Sequence, residues 1–185
     1  KLKLWNAVYY VMGYNLRLSK KTHFKAEAYY QSLSNLPVEN HSSSYSAINE
    51  GADFNSPSRD SLVNKGYGSN IGMEFTIERY LKKGFYLLST TSIYDSKYNG
   101  SDGIERNTQY NANYIFNFLI GKEFPKRGKQ KNQTLAINLK ASISGGKKFI
   151  PLLRDANGAL NVNQANGSFY DYNKAYESDL GDIYR

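Results

Sequence analysis

Three glutamates in segments with a strand-like pattern, Glu27, Glu74 and Glu78, are the first candidates for chemistry in this sequence. Two carboxylates held close together can act as a general acid and a general base. On a sheet face, however, each carboxylate is expected to have a cationic partner, because an unpaired buried charge is costly. The expected partners are basic residues of the same predicted face, Arg17, Lys25 and Lys140. We therefore predict no catalytic residues and no enzymatic activity.

Asparagines recur in one predicted strand at Asn111, Asn113 and Asn117. Residues two apart in a strand share a face, so these amides would line one surface. They could form a path for a polar solute. A hydrated inner wall is the simpler explanation, and it is the one we favour.

Two predicted loops carry the candidates for substrate binding. Tyr98, Asp102 and Arg106 combine an aromatic ring with opposite charges, whereas Phe54 and Arg59 are weaker candidates in an earlier loop. Loops vary on a rigid scaffold, which makes them a usual place for ligand contacts. The alternative for the first group is an Asp–Arg contact that holds the loop folded, and we consider it the better explanation.

The composition argues against metal and nucleic-acid sites. The chain has no cysteine and two histidines, His23 and His41, which excludes disulfides, thiolate sites and a His-rich metal site. The segment Asp155–Gly158 resembles a calcium loop in part, but its glycine comes too early for the EF-hand spacing. The net charge of +8 comes from basic clusters in short turns rather than from a basic stripe with interleaved aromatics. We predict no metal, no cofactor and no nucleic-acid partner.

Alternating apolar and polar residues predict an all-β protein. The predicted strands are Asn6–Leu18, His23–Gln31, Tyr67–Tyr80, Phe85–Tyr94, Gln109–Phe124 and Gln133–Ser144. The pattern of the fourth strand does not assign its faces. Ile183–Arg185 has the pattern of the beginning of a seventh strand.

The predicted connections alternate between short and long. The short turns are Ser19–Thr22, Leu81–Gly84 and Pro125–Asn132, and the long loops are Ser32–Gly66, Asp95–Asn107 and Gly145–Asp182. An antiparallel up-and-down meander then has all its short turns at one end, as outer-membrane barrels do. The strands are also longer than the usual ~5–6 residues of soluble proteins. Because the smallest membrane barrels have about eight strands, further strands are expected to complete this one.

Tyrosines support the same fold. Tyr10, Tyr30, Tyr80 and Tyr110 stand near the ends of the predicted apolar faces. Aromatic girdles lie at both interfaces of a membrane barrel. We therefore expect these rings at the two edges of an apolar band.

Four stretches resemble the C-terminal third of TonB-dependent receptors, particularly those of Gram-negative bacteria that carry a carboxypeptidase-regulatory-like extension. The stretches are AEAYYQSLSNLPVEN at Ala26–Asn40, LVNKGYGSNIGMEFTIERYLKKGFY at Leu62–Tyr86, STTSIYDSKYNGSDGIERNTQYNANYIFNFLIGKEF at Ser89–Phe124 and SISGGKKFIPL at Ser142–Leu152. Together they span most of residues 1–185 in the expected order. The resemblance therefore assigns the chain to one partial barrel domain of about six strands and the start of a seventh.

This resemblance implies a transmembrane barrel of about twenty-two strands around an N-terminal plug. The plug and the terminal strands are expected outside these residues. Import would be energised by TonB, an inner-membrane protein that pulls on a segment near the plug. The implied partners are outer-membrane lipid, the plug, TonB and a surface lipoprotein, all at the outer membrane of a Gram-negative bacterium.

The implied cargo is a scarce nutrient such as a metal chelate, a glycan or a peptide. The charged and asparagine side chains of the polar face would then point to the lumen or to the plug. Two alternatives stay open: a different outer-membrane barrel such as a porin, and a soluble β-sandwich that binds carbohydrate or mediates adhesion.

Overall fold

The computed structural model describes residues 2–51, 61–125, 133–165 and 167–179, and its regular structure is almost entirely antiparallel β-sheet. The strands of the main sheet are β1 Asn6–Ser19, β2 Thr22–Glu39, β3 Leu62–Lys82, β4 Phe85–Asn99, β5 Glu105–Asn107, β6 Tyr114–Pro125 and β7 Thr134–Ser144. A two-stranded ladder joins β8 Lys148–Phe149 to β9 Ser178–Asp179. Short 3₁₀ turns lie at Ala47–Asn49 and Tyr172–Lys174.

The main sheet is an up-and-down meander, as the alternating pattern predicts. Its order is β1-β2-β3-β4-β6-β7, and the short β5 pairs with the far end of β4. Turns of two residues connect β1 to β2 and β3 to β4 at one end, which we name the turn end. The described residues 40–51 and 61 of the connection from β2 to β3, which we name the first loop, lie at the opposite end, which we name the loop end. The connection 100–113 from β4 to β6, which we name the second loop, lies there too.

The register of the strands collects the apolar residues on one face of the sheet, which we name the apolar face. One cross-strand row of this face is Met12, Ala28, Met73, Ile93 and Tyr114. A second row is Leu16, Phe24, Ile77, Ser89, Phe118 and Ala141. Described residues leave much of this face uncovered, with 54% of Met73 and 60% of Leu139 exposed.

The same register assigns the faces of β4. Leu87, Ser89, Thr91 and Ile93 pair with apolar-face residues of β6 and therefore belong to that face. Leu88 lies on the opposite face, which we name the polar face. Because β4 carries threonine and serine on one face and a leucine on the other, its sequence does not reveal this arrangement.

Tyrosine rings cover glycines on the polar face. Tyr29 lies over its cross-strand partner Gly72. Tyr86 lies over its partner Gly121, and its hydroxyl donates a hydrogen bond of 2.7 Å to Asn138. The missing side chains of these glycines make room for the rings, so each pair packs without lifting the tyrosine off the sheet.

Three strands extend farther toward the loop end than the sequence predicts. β2 continues to Glu39, β3 begins at Leu62 and β4 continues to Asn99, so the loops predicted at Ser32–Gly66 and Asp95–Asn107 are too long. β-Bulges on both sides of Leu36 shift the register of β2. A bulge breaks the two-residue period, and the serines and asparagines of this region hide the strand further.

The strand predicted at Gln109–Phe124 begins later, at Tyr114. Asn113 has a φ of 65°, a left-handed conformation in which asparagine is enriched and which ends the extended backbone. The amide of Tyr94 donates to the Asn113 carbonyl at 2.8 Å, so this turn stays attached to β4. The predicted row of Asn111, Asn113 and Asn117 is therefore wrong as a strand pattern. Ile183–Arg185 lies outside the described residues.

The tyrosine predictions are partly correct. Tyr10 and Tyr30 are cross-strand partners on the apolar face near its loop end. Tyr80 lies on the polar face, where its ring meets His23 edge-on at 5.5 Å between centroids. Tyr110 belongs to the loop turn before β6, so it is not at the end of an apolar strand face.

Candidate functional site

A small core at the loop end holds the loops on the extended strands. Leu36, Val38, Tyr98 and Ala175 are fully buried there. The Tyr98 hydroxyl donates to the Ser44 carbonyl at 2.7 Å, which joins β4 to the first loop. Burial raises the pKa of this hydroxyl well above its usual value, so it remains a neutral donor.

Asp102 and Arg106 form a bidentate ion pair inside the second loop. The two nitrogen–oxygen distances are 2.8 and 3.0 Å, and both side chains are largely buried. Arg106 also donates to the Ile104 carbonyl at 3.2 Å. This arrangement is the loop-holding contact that the sequence analysis favoured for these residues.

The predicted substrate-binding residues therefore occupy different positions. Tyr98 and Arg106 are cross-strand partners in the β4–β5 ladder, and Asp102 is joined to Arg106. Tyr98 is fully buried, so a direct substrate contact by its ring would need the loop core to open. Asp102 and Arg106, in contrast, line a cavity among the loops. Phe54 and Arg59 lie outside the described residues.

A ladder of polar side chains crosses the polar face just below the loops. The Asn70 amide donates to Gln31 at 2.6 Å, and the Ser96 hydroxyl donates to Asn70. Thr108 donates to Ser96 at 2.9 Å and ties the second loop to the same row. Hydrogen bonds within this row therefore fix the orientation of the amide side chains on the polar face.

Asn111 is fully buried, although the sequence analysis placed it on a hydrated wall. Its amide donates to Asp95 at 2.6 Å and to Asn107 at 2.9 Å. Asn113 donates to Asn111 at 3.3 Å. Of the predicted asparagine row, Asn117 alone lies in a strand, where it bonds to Thr90 and Ser142 on the polar face.

The charged residues predicted to face a lumen do share the polar face. They are Arg17, Lys25, Glu27, Glu74, Glu78 and Lys140. Lys25 pairs with Glu27 at 2.5 Å. Glu27 stands directly opposite Glu74, a like-charge arrangement that is unfavourable unless a cation lies near both.

Two cavities flank the loop core. One of about 540 Å³ lies on the polar face, and its lining includes Tyr9, Tyr29, Asn70, Glu74, Tyr94 and Tyr110. The other, of about 1130 Å³, lies among the loops, and its lining includes Glu39, Ser46, Asn49, Gln109, Tyr170 and Tyr176. Flat aromatic rings beside amides and hydroxyls suit a polar solute that presents both apolar and hydrogen-bonding surface.

Neither the polar ladder nor the grouping of tyrosines around the first cavity was predicted from the sequence. Gln31 was placed at the end of a strand and Ser96 in a loop, and Thr108, which lies between that loop and the next predicted strand, was assigned to neither. The signal lies in the register between β2, β3 and β4, which brings Gln31, Asn70 and Ser96 into one row. A pattern within one strand does not contain that register.

The described residues contain no group of three or more His, Cys, Asp or Glu side chains that could hold a metal ion. Within the same residues, no helix has the length and apolar character to cross a membrane. Comparisons with protein-family models, curated proteins and solved structures find no match to this chain.

Proposed function

We propose that this chain is part of the barrel wall of an outer-membrane TonB-dependent receptor that imports a scarce nutrient by energised transport. The observation that carries the proposal is the apolar face, which extends across all the long strands between the loop end and the turn end and has no cover in the described residues. A contiguous exposed apolar surface of this extent marks contact with a membrane or another protein.

Strand length favours the membrane. The strands β1 to β4 have 14, 18, 21 and 15 residues, whereas soluble strands usually have about 5–6. On β6 the apolar face extends from Tyr114 to Phe124, about 34 Å along the strand at ~3.4 Å per residue. A strand tilted by about 45° can cross the hydrocarbon core with ~9–11 residues, so this face is long enough.

The loop end and the polar face supply what an importer needs. In the proposed orientation the polar face borders a wet lumen and the loops face the outside of the cell. The cavities of about 540 and 1130 Å³ then lie on the route of an incoming solute. A metal chelate, a glycan or a peptide would fit their mixed aromatic and amide lining. The plug and TonB enter the proposal through the family resemblance.

The test uses two adjacent residues of β4 with opposite orientations. Ile93 lies on the apolar face and Ser92 on the polar face. The chain has no cysteine, so Ile93→Cys and Ser92→Cys each provide a single labelling site within it. We expect a fluorophore at position 93 of the membrane-embedded protein to be quenched by brominated lipid, and one at position 92 by aqueous iodide.

Equal quenching of both sites by iodide would contradict the proposal and favour a soluble β-sandwich. If position 93 is in lipid, uptake of the solute by cells distinguishes a TonB-dependent receptor from a porin. Uptake that stops when the inner-membrane proton gradient is dissipated supports the TonB-dependent receptor. Uptake that continues supports a porin.

A further inference from the structure

Two cations interrupt the apolar face near its turn end. Arg79 follows Ile77 by two residues on β3, and Lys122 follows Ile120 by two residues on β6. Side chains two apart share a face of a strand, so both cations belong to the apolar face. Phe85 of β4 is the cross-strand partner of Lys122 and lies between the two.

Aromatic rings hold both cations at the turn end. The Arg79 guanidinium carbon lies 5.2 Å from the centroid of the Phe85 ring. The Lys122 ammonium lies 5.8 Å from the Phe124 ring and donates to the Lys83 carbonyl at 2.9 Å. An ammonium has three donors, so Lys122 keeps donors for a further acceptor. We name Arg79, Lys122, Phe85 and Phe124 the basic rim.

The carboxylates nearest in sequence point away from the basic rim. Glu78 precedes Arg79 and Glu123 follows Lys122, so alternation places both carboxylates on the polar face. Asp95 does belong to the apolar face, but it lies at the loop end opposite Ile71. A cation that is buried beside apolar surface loses its hydration, which costs free energy. An anionic partner offsets that cost, so such a position favours an anion.

We infer that the basic rim binds the headgroup phosphate of an anionic phospholipid in the membrane leaflet at the turn end. This inference rests on the proposed membrane location of the apolar face. The guanidinium of Arg79 has the planar donors that match phosphate oxygens, and Lys122 adds a second charge. The acyl chains continue the contact toward the loop end along Leu87, Ile120 and Leu139.

The experiment measures the lipid preference of the intact protein in nanodiscs of phosphatidylcholine with a minor fraction of spin-labelled phosphatidylglycerol. We expect the preference for phosphatidylglycerol to fall by roughly tenfold or more in Arg79→Gln/Lys122→Gln, since each basic residue near a membrane surface contributes about a factor of five. The matched control is Arg17→Gln/Lys140→Gln, which removes the same charge from the polar face and should retain the preference. The conservative exchange Arg79→Lys/Lys122→Arg should also retain it.

An equal loss in the control and the rim variant would show a general effect of net charge and would overturn the inference. An unchanged preference in the rim variant would overturn it as well, as would full displacement of the labelled lipid by inorganic phosphate alone. These results are independent of the quenching of Ile93→Cys, which reports the membrane location without reference to charge. The proposed function can therefore stand when the lipid inference fails.

Discussion

At the level of single residues, the polar face depends on how glycines and tyrosines pair across strands. The rings of Tyr29 and Tyr86 lie where side chains of Gly72 and Gly121 would otherwise be. Each ring covers backbone that a glycine leaves bare, and Tyr86 also reaches Asn138 on the next strand. The pairs therefore brace neighbouring strands on the face that lacks an apolar core.

We expect Gly121→Ala to destabilise the sheet by about 1–3 kcal/mol, because the new methyl group overlaps the Tyr86 ring and forces it off Asn138. Gly13→Ala is the matched control, since a methyl group there would meet Glu27 at an ordinary 3.5 Å. The measurement is the thermal midpoint of unfolding of the two variants. Equal midpoints for the two variants would show that the Tyr86 ring does not need the space above Gly121.

At the level of elements, the strands divide into a turn-end part with an exposed apolar face and a loop-end part that packs with loops. The loop-end parts of β2 and β4 contribute Leu36, Val38 and Tyr98 to the small core. β5 pairs with β4 there and carries Arg106 to Asp102. The loops are thus held by buried contacts to a rigid hairpin extension, which defines the shape of the cavities beside them.

Asp102→Asn is expected to lower the free energy of local opening of the second loop by about 3–5 kcal/mol, because it leaves the buried Arg106 guanidinium without its anionic partner. Glu27→Gln is the control. Its partner Lys25 is 45% exposed, so the loss should be below about 1 kcal/mol. Amide hydrogen exchange of residues 100–108 and of β2 measures the two effects. Similar small changes in amide exchange in residues 100–108 of Asp102→Asn and in β2 of Glu27→Gln would mean that the Asp102–Arg106 pair does not hold the loop.

The strands with regular alternation could be predicted from the sequence, and those with bulges or left-handed residues could not. β1 and β7 match their predicted bounds to within one residue at each end. The end of β2 was missed because the bulges around Leu36 break the alternation. The start of β6 was misplaced because the alternation continues through Asn113, where the backbone turns. The candidate site depends on contacts between distant segments, such as Tyr98 with Ser44, which no local pattern encodes.

At the level of the whole molecule, the two ends of the sheet differ in structure and in chemistry. The loop end has a buried core and two cavities, whereas the turn end has two-residue turns and the basic rim. In the proposed orientation the loop end is outside the cell and the turn end is in the periplasm. The side of the membrane on which each end of the sheet lies can therefore be measured.

A peptide epitope inserted after Asn157, in an exposed turn that follows β7 in the chain, should bind antibody on intact cells. The same epitope inserted after Lys20, in the exposed turn between β1 and β2, should bind only after the outer membrane is permeabilised. Flow cytometry with and without permeabilisation measures both. The reverse pattern would invert the proposed orientation, and access to both sites on intact cells would contradict a membrane-spanning sheet.

The meander determines how the sheet can assemble. Each long strand bonds to its nearest long neighbours in the chain, and only the three-residue β5 comes between β4 and β6. The contacts of the main sheet are therefore sequential, and none of its described long strands pairs with a long strand that is distant in the chain. The sheet can grow by one hairpin at a time, with the edge of the last paired strand as the template for the next strand. If one turn forms slowly, the hairpins that follow it in the chain would be delayed. The hairpins that precede it would stay paired.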